Sequence, residues 1–223
     1  MLVAAFPAGS FQTNCYVVAP AAGEQCVVID PGQDAAGGVD EVVREHGLQP
    51  VAVLLTHGHI DHMWSVTPVC GAHGIPAYVH KADRELLTDP GKALSAQTNA
   101  MLGGLQLFEP DEVREISDGG GLELAGLRFA IDLAPGHTAG SVTFRTADGA
   151  PDDDAPMLFA GDLLFAGSVG RSDLPTGDPY AMRESLRQVL RLADETLVLP
   201  GHGGLTTIGR ERATNPYLQP GAL

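Results

Sequence analysis

The stretch Thr56-His-Gly-His-Ile-Asp-His62 decides how this chain is interpreted. It places three imidazoles and a carboxylate within six positions, directly after the apolar run Val51–Leu55. Neutral imidazole nitrogens suit zinc, iron and manganese, and a carboxylate adds a harder anionic ligand. Because the chain has only eight histidines in 223 residues, chance is a poor explanation for this cluster. We therefore predict a metal site at the end of a strand formed by the apolar run.

Three more candidate ligands follow apolar runs further along the chain. They are His137 after Leu127–Leu133, Asp162 after Leu158–Ala160, and His202 after Leu197–Pro200. Short apolar runs bounded by glycine and proline are typical of buried strands. A glycine precedes each of these ligands, which lets the backbone turn sharply and approach a metal closely. Four strand ends therefore predict one site at the edge of a sheet, with seven ligands: His57, His59, Asp61, His62, His137, Asp162 and His202.

The pattern from His57 to His62 resembles the His-x-His-x-Asp-His signature of the metallo-β-lactamase superfamily, and the later ligands keep the family's order. The resemblance covers nearly the whole chain. It implies an α/β fold of four layers, an α/β/β/α sandwich, with two divalent metal ions between the sheets at one end. Zinc is expected first, although iron or manganese suits the same ligands. By this resemblance His57, His59 and His137 hold one metal, Asp61, His62 and His202 hold the second, and Asp162 bridges them.

Two longer stretches, Gly161–Asp173 and Pro200–Tyr217, resemble short single-domain hydrolases of the glyoxalase II type, which act on hydroxyacylglutathione. The resemblance implies that a metal-bound hydroxide attacks a 2-hydroxyacyl thioester such as lactoylglutathione. Asp61 is the implied catalytic residue, because it would orient that hydroxide while ligating the second metal. We expect residues 1–223 to form one domain, without the separate C-terminal helical domain that binds glutathione in longer enzymes of this type.

Three other functions remain open on the sequence alone. A persulfide dioxygenase of the same superfamily would bind a single iron, and Gly170–Asp173 is compatible with either enzyme. A lactonase ranks next, although lactonases tend to carry a tyrosine shortly after the bridging aspartate, where this chain has Phe165. The last is a metal-binding module without turnover. Retention of Asp61 counts against that module, because this residue serves both the metal and the attacking hydroxide.

Two further residues are assigned roles beside the ligands. Asp30 ends an apolar run at a Pro-Gly turn, and the resemblance places it near the metals, where it would buttress the metal loop without binding metal. Arg171 follows the bridging aspartate at a place where glyoxalase II-type enzymes use a basic residue on the thiol half of the substrate. An ion pair with Asp173 or Asp178 is the alternative, since a guanidinium suits either carboxylate.

Charge and cysteine content limit the partners and the compartment. The formal net charge of −15 repels phosphate backbones and anionic membranes, so neither nucleic acid nor a membrane is an expected partner. We expect a small-molecule thioester instead, and the oligomeric state stays open. Three cysteines, an odd number without a close pair, favour a reducing cytoplasm. The N-terminus lacks the basic region of a signal peptide, which also favours the cytoplasm.

Apolar periodicity predicts mixed strands and helices along the whole chain. Helices are predicted at Gly38–His46, His62–Ala72, Ala82–Thr88 and Ala181–Leu192. Strands are predicted at Leu2–Phe6, Cys15–Ala19, Cys26–Asp30, Val51–Thr56, Ala77–His80, Glu115–Ile116, Leu122–Ala125, Leu127–Leu133, Ser141–Arg145 and Met157–Ala160. The segment Asp89–Gly104 is the least regular and is a candidate active-site loop or short helix, and the acidic segment Gly149–Pro156 is expected to be a solvated hairpin tip. This mixture favours α/β packing with helices on the outer faces.

Overall fold

Two six-stranded sheets form the centre of the computed structural model, which describes residues 1–103, 105, 107–146 and 155–223. The first sheet holds, in spatial order, β1 (Leu2–Ala8), β2 (Thr13–Ala19), β3 (Gln25–Ile29), β4 (Gln49–Leu54), β5 (Ala77–His80) and β6 (Val113–Ile116). Strands β1 to β3 are antiparallel, whereas β3 to β6 are parallel. Because parallel strands end at the same edge, the residues that follow β3, β4 and β5 meet there.

The second sheet contains β7 (Gly121–Leu124), β8 (Leu127–Leu133), β9 (Val142–Thr146), β10 (Met157–Gly161), β13 (Leu197–Pro200) and β14 (Thr206–Thr207). Their spatial order is β14-β13-β10-β9-β8-β7, and only β10 and β13 are parallel neighbours. Strands β8, β10 and β13 therefore run in one direction and end at one edge. A short hairpin of β11 (Leu164–Phe165) and β12 (Ser168–Val169) follows β10.

Helices cover the outer face of each sheet. The first half contributes α1 (Ala35–His46), α2 (Ile60–Met63), α3 (Val66–His73) and α4 (Ala96–Met101), and the second contributes α5 (Pro179–Val189) and α6 (Ile208–Thr214). Residues of α1 and α3 pack on the first sheet, and residues of α5 and α6 pack on the second. A third apolar cluster fills the space between the sheets. The predicted four-layer α/β/β/α sandwich is thereby confirmed.

Strand β2 shows how the sequence produces these layers. Side chains of a strand alternate between faces, and here both faces are buried. Tyr16 and Val18 point between the sheets, where the Tyr16 ring packs edge-on against Phe159 at a centroid distance of 5.5 Å. Val17 points to the other side and joins Val39 of α1 in the outer cluster. A strand buried on both faces therefore appears in the sequence as a continuous apolar run.

Two predicted helices were wrong in extent or type. The helix expected at His62–Ala72 is divided into α2 and α3, because Ser65 between them bonds Pro31 and Ala35 of the neighbouring loop. The helix expected at Ala82–Thr88 is a single 3₁₀ segment at Arg84–Leu87. Tertiary hydrogen bonds thus override the local helical pattern at both places.

The remaining differences are smaller. The segment that begins at Asp89, expected to be a loop or a short helix, forms a 3₁₀ turn at Pro90–Ala93 and then the short helix α4. Another 3₁₀ turn lies at Pro216–Leu218. Gly104 and most of the acidic segment, residues 149–154, lie outside the described residues. Among the described helices, none combines the length and the apolar character needed to cross a bilayer.

Candidate metal centre

The segment that follows β4 carries the largest share of the predicted ligands. Strand β4 ends at Leu54, and α2 begins at Ile60, so His57 and His59 lie in the extended loop between them. Asp61 and His62 lie in the first turn of α2. The three histidines are almost completely buried, although imidazole is polar. Burial of this kind requires polar partners or bound ions.

Ligand atoms of the predicted residues form three close groups, and two of them have the membership expected for the two metals. One is the tri-histidine group, His57, His59 and His137, and the other is the mixed group, Asp61, His62 and His202. Within each group, one ligand atom per residue lies within 4.8 Å of the others. Asp162 connects the groups, because its Oδ1 lies 3.2 Å from His62 Nε2 and its Oδ2 lies 3.4 Å from His137 Nε2. A third group, His57, His62 and Asp162, overlaps both. The structure thus brings all seven side chains together, while the division of the ligands between two metals stays a prediction.

Unpaired polar atoms test whether metal ions fit these groups. Within the described residues, five buried side-chain nitrogen or oxygen atoms lack a hydrogen-bond partner. Four of them belong to this site: His57 Nε2, His59 Nε2, His62 Nε2 and Asp162 Oδ1. Buried polar groups are rarely left unpaired, since each costs about 1–3 kcal/mol. Imidazole nitrogens and a carboxylate oxygen are suitable donors to a divalent cation, so the residues fit the metals that the fold implies.

The two histidines that begin the metal loop stay neutral in the folded protein. Burial lowers the pKa of His57 well below its ordinary value, and the neighbouring His62 lowers it further. Burial and then His137 lower the pKa of His59 to about 3. Metal binding requires unprotonated imidazole. The tri-histidine group therefore presents these two ligands ready for a metal at neutral pH.

In the mixed group the pKa values of the histidines are raised instead of lowered. Burial alone would lower the pKa of His62, but the carboxylates of Asp162 and Asp61 outweigh it and raise the pKa well above its ordinary value. The pKa of His202 is also raised: the bond to Asp61 and the charge of Asp162 outweigh burial. Burial would raise the pKa of Asp61, yet His62 and His202 hold it below its usual range. A metal that binds this group therefore competes with protons for the imidazoles of His62 and His202.

Asp30 supports the metal loop from the end of β3, as its position in the parallel sheet allows. Its Oδ1 accepts the Thr56 N–H at 2.8 Å, and its Oδ2 accepts the Thr56 hydroxyl at 2.6 Å. The same Oδ2 lies 2.9 Å from His62 Nδ1, on the ring edge opposite the ligand atom Nε2. Asp30 also has a positive φ of 50°, which points to a tightly constrained backbone. It lies outside both ligand groups.

Sequence reasoning missed two supporting residues at the start of β2. The Thr13 hydroxyl donates to Asp61 Oδ2 at 3.2 Å, and Thr13 is fully buried. The Asn14 side-chain amide donates to the carbonyls of Pro200 and Gly203, at 3.0 and 2.9 Å, on either side of His202. No local pattern identifies this role, because the partners lie 48 to 189 positions further along the chain. The only sequence signal is a pair of polar residues at the start of an apolar strand.

Arg171 contributes to the site through its backbone carbonyl, whereas its side chain pairs with a neighbouring carboxylate. The Arg171 carbonyl accepts a hydrogen bond from His137 Nδ1 at 2.7 Å, which turns Nε2 of that ring towards His59 Nδ1, 2.7 Å away, and Asp162 Oδ2, 3.4 Å away. The guanidinium forms a two-pronged ion pair with Asp173, with both N–O distances 2.8 Å. Of the two carboxylates considered, Asp178 instead caps α5 by accepting the Tyr180 and Ala181 N–H groups.

Comparison with known proteins agrees with this geometry. Residues 8–202 match the sequence profile of the metallo-beta-lactamase superfamily. Hydroxyacylglutathione hydrolase GloC of Haemophilus influenzae is 31% identical over 220 residues, which cover 98% of each chain. The solved structure of BLEG-1, a B3 metallo-beta-lactamase, is 34% identical, with a TM-score of 0.85 over 98% of this chain and 100% of its own. TTHA1623 in a di-iron-bound form is 39% identical, with a TM-score of 0.79 over the same shares.

Three independent observations therefore lead to one assignment. The profile match spans most of the chain. The two-sheet sandwich is shared, over nearly the full length, with solved structures of that fold. The clustered histidines and aspartates form a site suited to metal ions at the edge where such residues converge. This chain belongs to the metallo-β-lactamase superfamily.

Proposed function

We propose that this chain is a metal-dependent hydrolase that cleaves 2-hydroxyacyl thioesters such as lactoylglutathione. The observation that carries the proposal is the pairing of two complete ligand groups through Asp162, with Asp61 beside them. A site that retains every ligand on both sides of a bridging carboxylate is suited to two metals and to hydrolysis. The substrate class is supported by the full-length similarity to the hydroxyacylglutathione hydrolase of H. influenzae.

The residues of the chain have separate tasks in this proposal. Divalent metal ions, when bound, supply an activated water and polarise the substrate carbonyl. Asp61, held by Thr13 and His202, orients the attacking water through its carboxylate. Asp30 and the Arg171 carbonyl fix the rings of His62 and His137. A thiolate is a much weaker base than an amine or an alkoxide, so no dedicated proton donor is needed for the leaving group.

Phe165 favours a thioester over a lactone as the substrate. Its ring lies in β11 beside the site, with a centroid 6.2 Å from the His202 ring. Lactonases of this superfamily tend to carry a tyrosine near this place, whose hydroxyl can bond a substrate oxygen. Phenylalanine offers no such donor. The chain therefore retains the metal ligands while lacking this lactonase feature.

Hydrolysis of β-lactams is a second candidate for a specific reason. The BLEG-1 B3 metallo-beta-lactamase is 34% identical and covers the chain almost completely. An activated water and a polarised carbonyl serve amide and thioester hydrolysis alike. Amide cleavage, however, must also protonate a strongly basic nitrogen. A chromogenic cephalosporin and lactoylglutathione, assayed on one preparation, separate the two substrates.

The first prediction concerns metal content and reaction type. Protein purified without chelators is expected to hold two metal equivalents per chain, one for each ligand group. It should hydrolyse lactoylglutathione faster than the cephalosporin and should consume no oxygen with glutathione persulfide. Elemental analysis, two hydrolysis assays and an oxygen electrode provide the measurements. A single iron that persists after metal supplementation, together with oxygen uptake, would replace the hydrolase by a dioxygenase.

The second prediction concerns Arg171 and the thiol half of the substrate. Its ion pair with Asp173 is mostly exposed, with 59% and 69% of the two side chains accessible, so a substrate carboxylate can displace Asp173 at little cost. Arg171→Ala should raise KM for an anionic thioester by up to about five-fold, as expected for an exposed charge contact of up to ~1 kcal/mol. KM for a neutral thioester and both kcat values should hardly change.

Asp173→Asn is the matched variant, because it releases the guanidinium without removing it. It should lower KM for the anionic thioester and leave the neutral one unaffected. Steady-state kinetics on the two substrates measure both variants. Equal KM changes for the anionic and neutral thioesters would show that Arg171 serves only the structure of its loop.

A further inference from the structure

Asp83 is a completely buried carboxylate that belongs to neither ligand group. It follows β5, the strand next to β4, and precedes the 3₁₀ segment Arg84–Leu87. Its side chain makes no capping bond to that segment. A buried carboxylate is costly unless hydrogen bonds compensate for the lost water. The carboxylate of Asp83 must therefore have partners elsewhere.

Its partners lie in the two loops that carry the tri-histidine group. Oδ2 accepts the N–H of Gly58, the residue between His57 and His59, at 2.8 Å. The same oxygen accepts the Thr138 hydroxyl at 2.6 Å, directly after His137. Oδ1 accepts the Gly140 N–H at 2.7 Å. One carboxylate thus connects the loop after β4, in the first sheet, with the loop after β8, in the second.

The two glycines show how closely this connection is built. A Cβ on Gly140 would lie 2.6 Å from both Cγ and Oδ1 of Asp83, nearer than real side chains allow. A Cβ on Gly58 would lie 2.8 Å from Leu86 Cδ1 and 3.0 Å from the Asp83 carbonyl. Both positions therefore need glycine so that the backbone N–H groups can reach this carboxylate.

The mixed group is supported by other residues. Thr13 bonds Asp61, Asn14 holds the turn around His202, and Asp30 bonds His62. Asp30 also reaches the tri-histidine loop, but only through Thr56 at its start. Within the described residues, Asp83 is the carboxylate that bonds both histidine loops of the tri-histidine group. Loss of Asp83 should therefore affect the two ligand groups unequally.

We propose that Asp83 is a positioning residue that sets the distance between His137 and the His57–His59 loop, and so the metal affinity of the tri-histidine group. The inference rests on the metal centre of the proposed function but not on its substrate. Removing the hydrogen-bond partners that orient metal ligands lowers affinity by roughly 10–100-fold. Asp83 bonds the neighbours of the ligands instead of the ligands themselves: Gly58 in one loop, and Thr138 and Gly140 in the other.

Asp83→Asn tests this role with little change in shape. The amide keeps one acceptor but directs an NH₂ group at a buried donor, so at least one of the three bonds is lost. Metal-free protein is titrated with Zn²⁺ against a chromophoric chelator, which yields two stepwise dissociation constants. One constant should rise by roughly 10–100-fold and the other should stay within about threefold of wild type. Unchanged constants, or an equal rise in both, would overturn the proposal.

Glu211→Gln is the matched control for loss of a buried carboxylate. Glu211 is also completely buried and accepts three bonds from uncharged donors: the Gly167 N–H, the Thr206 hydroxyl and the Asn215 amide. It holds the β11–β12 hairpin, β14 and α6, and its three bonds go to neither loop of the tri-histidine group. The control should lose thermal stability while both metal constants stay at wild-type values. If Glu211→Gln raised one metal dissociation constant as much as Asp83→Asn does, the effect of Asp83 would be explained by its general contribution to folding, and the positioning role would be refuted.

Thr138 provides a milder variant if Asp83→Asn fails to fold. Thr138→Val removes one bond to Asp83 in a side chain of nearly the same shape, whereas Thr138→Ser keeps the hydroxyl. We expect weaker binding at one site in the valine variant and recovery in the serine variant. Identical metal dissociation constants in the valine and serine variants would contradict the positioning role. Because every measurement is metal binding, the result stays separate from whether thioesters are the substrate.

Discussion

Asp162→Ala is expected to abolish hydrolysis and to reduce metal content at both ligand groups. The Asp162 carboxylate lies against His62 of the mixed group and His137 of the tri-histidine group. Its removal takes an anionic ligand from two neighbouring cations, and their mutual repulsion is then less compensated. The loss of affinity should exceed the roughly 10–100-fold that follows when only a hydrogen-bond partner of a ligand is removed. Elemental analysis after gel filtration should give well below two equivalents.

Thermal unfolding with and without metal provides an independent measurement for this variant. A ligand that binds only the native state raises its stability, so metal should raise the Tm of the wild type and hardly that of Asp162→Ala. Asp40→Ala is a suitable control, because this aspartate is exposed and, in the part of the chain that the structure describes, pairs with the partly buried His73 rather than with a predicted ligand. Two retained metals and normal turnover in Asp162→Ala would refute the bridging role.

Asp61→Asn is expected to reduce turnover far more than metal content. The Asp61 Oδ2 atom is held by the Thr13 hydroxyl and by His202 Nε2, at 3.2 and 3.1 Å, at the entrance to the mixed group. Asparagine keeps the shape but loses the charge that orients the attacking water. A positioned acid or base typically contributes 10²–10⁴-fold to the rate, so kcat should fall by roughly that factor. The tri-histidine group and Asp162 remain intact, so more than one metal equivalent should remain.

Thr13→Val is a milder variant that perturbs the same carboxylate. It removes one hydrogen bond to Asp61 while leaving the charge and all seven predicted ligands in place. Its kcat should lie between those of the wild type and Asp61→Asn, and Thr13→Ser should recover the wild-type value. Stopped-flow assays with metal analysis of the same samples make the comparison. Wild-type rates with normal metal content in Asp61→Asn would remove this residue from the mechanism.

The ligand residues could be found from the sequence because four of them lie within six positions and the other three repeat one local design. Apolar runs ending in glycine and a ligand predicted the strands before His137, Asp162 and His202. The family resemblance then supplied the four-layer fold, which is confirmed. What the sequence could not supply is the network around the ligands. Asn14 and Asp83 act through partners that approach only after the sheets have packed.

The wrongly predicted helices have the same physical origin. Periodicity described apolar faces correctly, but it could not show that Ser65 bonds Pro31 and Ala35 and thereby separates α2 from α3. It also could not show that the Asp83 carboxylate accepts hydrogen bonds from the distant Gly58 and Gly140 and does not cap the 3₁₀ segment that follows it. Local preference is decisive only where no tertiary partner competes for the same polar group.

The hydrogen bonds from the start of β2 to the turn around His202 have a consequence for folding kinetics. They join residues 184 to 189 positions apart, from Asn14 and Tyr16 to Pro200 and Gly203. Contacts of such separation are slow to form, because loop closure must precede them. Neither ligand group is complete before the second sheet, which brings His137 and His202, has docked on the first. Bound metal should therefore leave the folding rate almost unchanged and slow unfolding, so that it prolongs the lifetime of the native state.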